Sequence, residues 1–563
     1  MTRILSVFIA VASVLVMSAA PASAHARLIS TQPSGGQTLD GAPVEIVLEF
    51  NEPIEPDFAT VQAFAPDGTR VDGGEPIVEG ARVRLPLQPV DAAGTYQVAF
   101  RVVSVDGHPV ESSFPFTLML AEVTPAPRPA PAPEAEAAVV EELPPVQLET
   151  AGPVAGAGLW VLRLANYLAL TIVVGLLLAA AWLLAERWPE GLDAADASER
   201  RLGEMDRRAT RAAAAVSLLW AGTGLGLFVL GLSNAAARPV GEVLAPDMLG
   251  RFTGTRFGAA VLAQAGVALL VAILAIVART KTAAAVALAA AALGGLAPAW
   301  WGHAGTSGLR YLTVVNDWAH VLAATTWVGG LAVVALLVLS GGARDSLRPA
   351  VRFSRLAGWA LGVVLATGLV NSVVHLGSPA NLLGTSWGRL VLVKLALLGG
   401  IAGLGWVNRR RCMPLLEQGG DGAAQRFRRV ALAEVGLMVL AFGTATGLAS
   451  GVPAEAEAAG RIQSIATAFG DGQVNLTLDP AATGDNVLHL YFFDPNAQLR
   501  DVTDAAVVLG SPREEVNAEL FGSGPGHYTG LAVPIPAPGT YNVEVSGQIA
   551  GSPARATGVI TVR

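Results

Sequence analysis

Among 563 residues there is one cysteine, Cys412, so no internal disulfide can form and any exported part must rely on its own apolar cores. Charge is scarce too. Only 15% of residues are charged against 52% hydrophobic, a balance that points away from an ordinary soluble enzyme. The formal net charge of -8 argues against nucleic acid as a partner, and the arginines that cluster lie between apolar runs. No phosphate-binding Gly-Lys-Ser/Thr loop and no ATPase signature occurs, so any transport must draw on a gradient or on the chemistry of its cargo.

What is present falls into blocks. Arg3, an apolar run from Ile4 to Met17 and the triplet Ala22-Ser23-Ala24 follow the order of a secretory signal peptide over residues 1–24. Cleavage after Ala24 makes His25 the mature N-terminus. From 25 to 120, short alternating runs such as Val44–Phe50 and Tyr96–Val102 are separated by turn signals such as Asp67-Gly68, which reads as a small β sandwich or barrel. Residues 121–153, with Pro125, Pro127, Pro129, Pro131 and Pro133, form a semi-rigid tether.

Residues 154–452 hold about eight runs long enough to cross a bilayer: 158–186, 211–235, 257–278, 283–300, 314–340, 354–376, 388–407 and 430–450. The arginine-rich loops, such as Arg200–Arg211, Arg344–Arg355 and Arg409–Arg429, alternate with loops poor in them. The positive-inside rule therefore puts both termini outside. After a linker at 453–464, alternation returns over 465–563, as in Gln473–Leu478 and Tyr541–Val545, predicting a second β domain on the same side. The fold class is a multidomain membrane protein.

His25 as a new N-terminus would offer an amine and an imidazole to one metal, half of the square-planar set that Cu(II) prefers. Asp106 and His108 stand two apart and can share a strand face, which would complete the set. Asp106-Gly107 is also what a plain turn requires, and residue chemistry alone leaves that alternative open.

The segment resembles the CopC family of copper-resistance proteins. The resemblance is carried by His25-Ala26-Arg27-Leu28, Gln32–Gly36, Leu48–Ile54, Gly94-Thr95-Tyr96 and, most specifically, Val103–Val110. It implies a Greek-key β barrel with His25, Asp106 and His108 as Cu(II) ligands. Two departures stand out: the third mature residue is Arg27 rather than histidine, and the Met-rich segment of a Cu(I) site is missing, with Met119 a poor substitute.

The central block resembles the CopD family, the usual partner of CopC, through Gly302-His303-Ala304, Asp317–Leu331 and Trp387–Lys394. That resemblance implies copper movement across the inner membrane. Ionisable residues inside a span are functional candidates by default, and Asp317 and His320 share a helix face three positions apart. With His303 and His375 they form a candidate copper path on the outer side. The alternative is that His303 and His320 only tie helices together and that His375 is simply interfacial. Lys394 and Glu434 read as structural anchors, and Cys412-Met413 as a chance soft pair in an inner loop.

The last block resembles YtkA-like β modules through Gly524–Gly530 and Gly539–Val543, which implies a C-terminal β sandwich. His489 and His527 are conceivable ligands there, although single histidines in a sandwich are usually structural.

The sequence thus predicts Cu(II) capture outside the cytoplasmic membrane and transfer to the membrane domain, in the direction of import. Its partners are the copper ion, the bilayer and exported copper chaperones, with no nucleic acid and no enzyme activity. Two other readings stay open. One is a sensor or scaffold without transport. The other is a copper-dependent oxidative enzyme, which Asp106 disfavours by filling a copper position.

Overall fold

A computed structural model describes residues 26–119 apart from Arg27, Gly35, Gly36, Asp40, Asp91 and Asp106. It also describes 153–184, 195–302, 310–418, 422–451, 454, 463–494, and 500–562 apart from Arg513 and Pro525. The predicted signal peptide, His25, Asp106, the proline-rich tether and His303 lie outside the described residues. Contacts divide the chain into two units. The helical unit takes Thr150–Glu455 together with Val105–His108, and the β unit takes His25–Ser104, Pro109–Glu149 and Ala456–Arg563.

In the β unit the first domain has eight strands: β1 (Leu28–Gln32), β2 (Thr38–Leu39), β3 (Glu45–Phe50), β4 (Thr60–Phe64), β5 (Ile77–Glu79), β6 (Arg82–Pro86), β7 (Gly94–Val103) and β8 (Pro109–Leu118). They form two four-stranded sheets in the orders β1-β3-β6-β5 and β2-β8-β7-β4, so the chain crosses repeatedly between sheets as a Greek key does. Alternation explains the core: Tyr96, Val98, Phe100 and Val102 of β7 all point inward and are at most 1% exposed. Phe50 meets Phe100 edge-on at 5.7 Å, and Tyr96 stacks on Phe116 at 5.1 Å. On the rung joining β7 to β8, buried Arg101 donates from Nε to Glu111 Oε1 at 2.8 Å.

The second β domain is the predicted sandwich. A five-stranded sheet runs β14 (Leu520–Gly524), β15 (His527–Ile535), β11 (Gly484–Phe493), β10 (Gly472–Asp479) and β9 (Gln463–Phe469). It packs on β13 (Glu515–Ala518), β12 (Thr503–Gly510), β16 (Gly539–Ile549) and β17 (Ser552–Val562) around Leu476, Leu490, Leu509 and Tyr541. The two β domains also meet each other. Asn475 of β10 donates from Nδ2 to Thr95 Oγ1 at 3.3 Å and to Thr117 Oγ1 at 3.4 Å.

The helical unit is built on α1 (Pro153–Leu178), α2 (Ala195–Ala236), α3 (Arg256–Val277), α4 (Lys281–Gly294), α5 (Arg310–Leu376), α6 (Ser386–Val407) and α7 (Ala423–Ser450). Eight stretches among the described residues are long and apolar enough to cross a membrane, and each overlaps one predicted span. Helix α5 runs Arg310–Leu376 with Pro349, which has no N–H to donate, inside it, and it carries two of these stretches, Arg310–Leu337 and Pro349–Leu376. A straight helix would put Asn316 and Asn371 about 80 Å apart. Their side chains are hydrogen-bonded at 2.7 Å, so the chain reverses within α5 and its two halves lie side by side.

Helices α1 and α5 cross with their backbones in contact. A Cβ on Gly329 would fall 2.2 Å from the Thr171 carbonyl oxygen, and one on Gly175 would fall 2.4 Å from the Gly329 carbonyl. Small residues permit this approach where lipid supplies no hydrophobic drive. The inner end departs from expectation. Cys412 and Met413 are not in a loop: a π-helical turn, Asn408–Cys412, carries α6 onward, and both side chains are buried in the helical core with Phe427 and Met438.

Candidate functional site

Three segments converge at one end of the first domain. Leu28 of β1 pairs with Phe50, Ile54 bridges Ser104, and the Glu55 amide donates to the Val103 carbonyl at 2.8 Å. The start of the chain, the Asn51-Glu52-Pro53 stretch and the turn between β7 and β8 therefore share one rim. Ala26, the residue after His25, is 3% exposed and belongs to the core. At the turn, Gly107 adopts φ +84°, a left-handed conformation that glycine takes without a Cβ penalty, and His108 follows it directly into β8.

Of His25, Asp106 and His108, only His108 is among the described residues, and it is half-buried at this rim. Sequence reasoning passed over Glu52, whose side chain is 5% exposed between the two rim pairings. A buried carboxylate in a short Asn-Glu-Pro connection was the available signal.

The second constellation lies inside the helical unit, between the two halves of α5. Asn371 Nδ2 donates to Asp317 Oδ1 at 3.1 Å. Asn316 Nδ2 donates to Asn371 Oδ1 at 2.7 Å and to the Thr367 carbonyl at 3.1 Å. His320 Nδ1 lies 2.8 Å from Thr367 Oγ1. Thr367 spends its single hydroxyl proton on the Val363 carbonyl at 2.6 Å, so it accepts from His320. A neutral ring bonded this way would carry its proton on Nδ1 and leave Nε2 unprotonated. This is the arrangement in which a histidine serves as a metal ligand, with its other nitrogen anchored.

Lys394 of α6 lies within electrostatic reach of both Asp317 and His320, and Tyr167 of α1 within reach of Asp317. Lys394, read from the sequence as an anchor, thus also faces this network. A carboxylate, an imidazole and two carboxamides together can stabilise a transient positive ion or relay a proton at that depth.

The other candidates separate from this pair. His375 is buried and packs edge-on against Trp387 at 5.9 Å. His303 is outside the described residues. Among the described residues no three His, Cys, Asp or Glu side chains gather as a metal cage. Asp317 and His320 are thus brought into one network, without His375. Asn316, Thr367 and Asn371 were missed because a polar residue in a span reveals its importance only through a partner, here some fifty residues distant. Two tryptophans of the helical unit have partners of their own: Trp318 Nε1 donates to the Ala292 carbonyl at 2.8 Å, and Arg256 lies 5.0 Å over the Trp300 ring.

Just past the end of α6, Asn408 Nδ2 donates to Glu434 Oε2 at 3.2 Å, and both residues are buried.

Comparison with known proteins bears on these regions. Residues 28–119 match the family described as CopC domain, residues 154–312 the copper resistance protein D-like N-terminal domain, and residues 347–448 copper resistance protein D. The chain is 25% identical over 494 residues to the copper transport protein CutJ of Bacillus subtilis (strain 168), covering 84% of this chain and 82% of that protein. Over 115 residues it is 32% identical to the inner membrane protein YebZ of Escherichia coli (strain K12), covering 20% of this chain and 39% of that protein. A solved structure of CopC from Methylosinus trichosporium OB3b is 28% identical, covers 18% of this chain and 99% of the solved one, and gives a TM-score of 0.17.

Proposed function

CopC and CopD family domains stand together in this one chain, homologous to the copper transport protein CutJ, and on that premise we propose that it captures Cu(II) outside the cytoplasmic membrane and imports it. The signal peptide is removed, and the His25 amine and imidazole, the Asp106 carboxylate and the His108 imidazole supply the nitrogen and oxygen donors that Cu(II) favours. The rim geometry supports this reading, because core packing of Ala26 and the Gly107 turn hold the neighbours of all three residues in place. Exported copper chaperones supply the ion, and both β domains face outward.

The observation that carries the transport half is the Asp317–Asn371–Asn316–Thr367–His320 network between the halves of α5. Buried polar groups are costly in a span, and this set presents a metal-competent nitrogen beside a carboxylate. Copper, the cargo, would pass from the first domain to His320 Nε2 and Asp317, with His303 at the outer entry. Lys394 competes with the cargo for the Asp317 charge, so the ion is held only transiently.

Whole-cell copper content tests the proposal. A deletion strain complemented with His320→Ala or Asp317→Asn should accumulate no more copper than the deletion itself, while the purified variants still bind Cu(II) at the first domain. Wild-type accumulation in both variants would overturn the transport role and leave sensing or scaffolding as the account.

A further inference from the structure

The last β domain carries a histidine pair that the copper route above does not use. His489 on β11 and His527 on β15 are diagonal neighbours: His489 faces Thr529 across the ladder, and Tyr491 faces His527. Diagonal positions on one sheet face bring long side chains within reach of each other. Here His489 Nδ1 and His527 Nε2 are 3.4 Å apart, and Thr529 Oγ1 is also 3.4 Å from His527 Nε2. Tyr491 stacks on the His527 ring at 4.2 Å and 8°, which fixes the ring plane.

The separation is informative. It is longer than the usual range of about 2.7–3.2 Å for a hydrogen bond donated by nitrogen. Two nitrogens each about 2.0–2.1 Å from one ion at a tetrahedral angle stand about 3.3–3.4 Å apart. Adjacent corners of a square plane would need about 2.9 Å. The spacing therefore suits an ion with tetrahedral preference better than the planar Cu(II) proposed for the first domain.

We propose that His489 Nδ1 and His527 Nε2 form a second metal site, for a d10 cation, Cu(I) or Zn(II), with Thr529 beside it and solvent completing the coordination. Both imidazoles are half-buried, and burial holds each below its ordinary value of 6.5, in the neutral form a metal requires. Asp479 supplies a nearby negative charge that the bound cation would favour. The site adjoins the seam between the two β domains, since Tyr491 pairs with Asn475, the residue bonded to Thr95 and Thr117. An ion here would sit where the first and last domains meet.

The test uses the full chain in detergent with the first site disabled by His108→Ala, with or without His489→Gln and His527→Gln. Each protein is titrated with Cu(I) against a chromophoric chelator without oxygen, and separately with Zn(II). We expect the His108→Ala chain to hold one equivalent of one of these ions that the triple variant loses, the arm showing the loss naming the ion. Equal stoichiometry in both arms would overturn the site.

X-ray absorption on the metal-loaded His108→Ala chain gives a readout that does not depend on the folding of the triple variant. Two imidazoles per ion are expected, and one or none contradicts the proposal. Cu(II) binding by the wild-type chain, read separately, reports on the first domain, so failure at either site is distinguishable from failure at the other.

Discussion

A hydroxyl on the other half of α5 decides which nitrogen of His320 is available. Thr367→Val keeps the volume but removes the acceptor, so the imidazole loses its fixed tautomer. Copper accumulation should fall about tenfold, while Thr367→Ser retains it. Equal losses in the two variants would mean that packing, not the hydrogen bond, is what matters there. Asp317 and His320 were legible as a pair because three positions define a helix face. Thr367 and Asn371 were not, because nothing local distinguishes a threonine satisfying its own helix from one that also anchors an imidazole.

The histidine pair of the last domain makes a second prediction at this scale. Burial is the main cause of the lowered values, opposed at His489 by Asp479 and reinforced at His527 by His489 itself. A histidine whose folded value is depressed leaves the unfolded chain binding more protons below 6.5. Stability is therefore fully present above that pH and lost as pH falls through the folded value. With metal chelated, protection factors of the β11 and β15 amides should drop between pH 7 and pH 5. The decline should flatten when both histidines are glutamine.

Among elements, the crossing of α1 and α5 is the most demanding contact. Gly329→Ala places a methyl group against the Thr171 carbonyl, and the helices must part or shift. A destabilisation of about 1–3 kcal/mol is expected, read as a lower thermal midpoint in detergent, whereas Gly362→Ala, which meets nothing within 4 Å, should leave it unchanged.

In the first domain, Glu111→Gln strips buried Arg101 of its ionic partner across the β7–β8 rung. Glu111 is partly exposed, so the expected cost is only about 1–2 kcal/mol, measurable by urea unfolding. Apolar runs of bilayer length made all eight spans readable, and alternation made the strands of both β domains readable. The inner end of α6 was misread as a loop because Arg409, Arg410 and Arg411 mark a polar boundary without ending a helix. Arginine propensity is in fact favourable to helix, and the chain continues through a π turn.

At the scale of the whole molecule, the order of domains was legible from composition, since apolar and alternating blocks are separated by a proline tether. Their association was not. Asn475 meets Thr95 and Thr117 across more than 350 positions, and three polar residues on sheet faces carry no mark of one another. The tether gave no sign of it, whereas the structure joins the first domain to the last in one unit.

The account's central claim is that a processed N-terminus and the β7–β8 turn together hold Cu(II) in a nitrogen-rich plane. Paramagnetic resonance during copper titration of the signal-cleaved protein tests it most directly, comparing His25→Ala, Asp106→Ala, His108→Ala and a version with one extra residue before His25. The account predicts a planar nitrogen-rich signal that each substitution weakens and that the extra residue all but abolishes. An undiminished signal from the extended protein would contradict it.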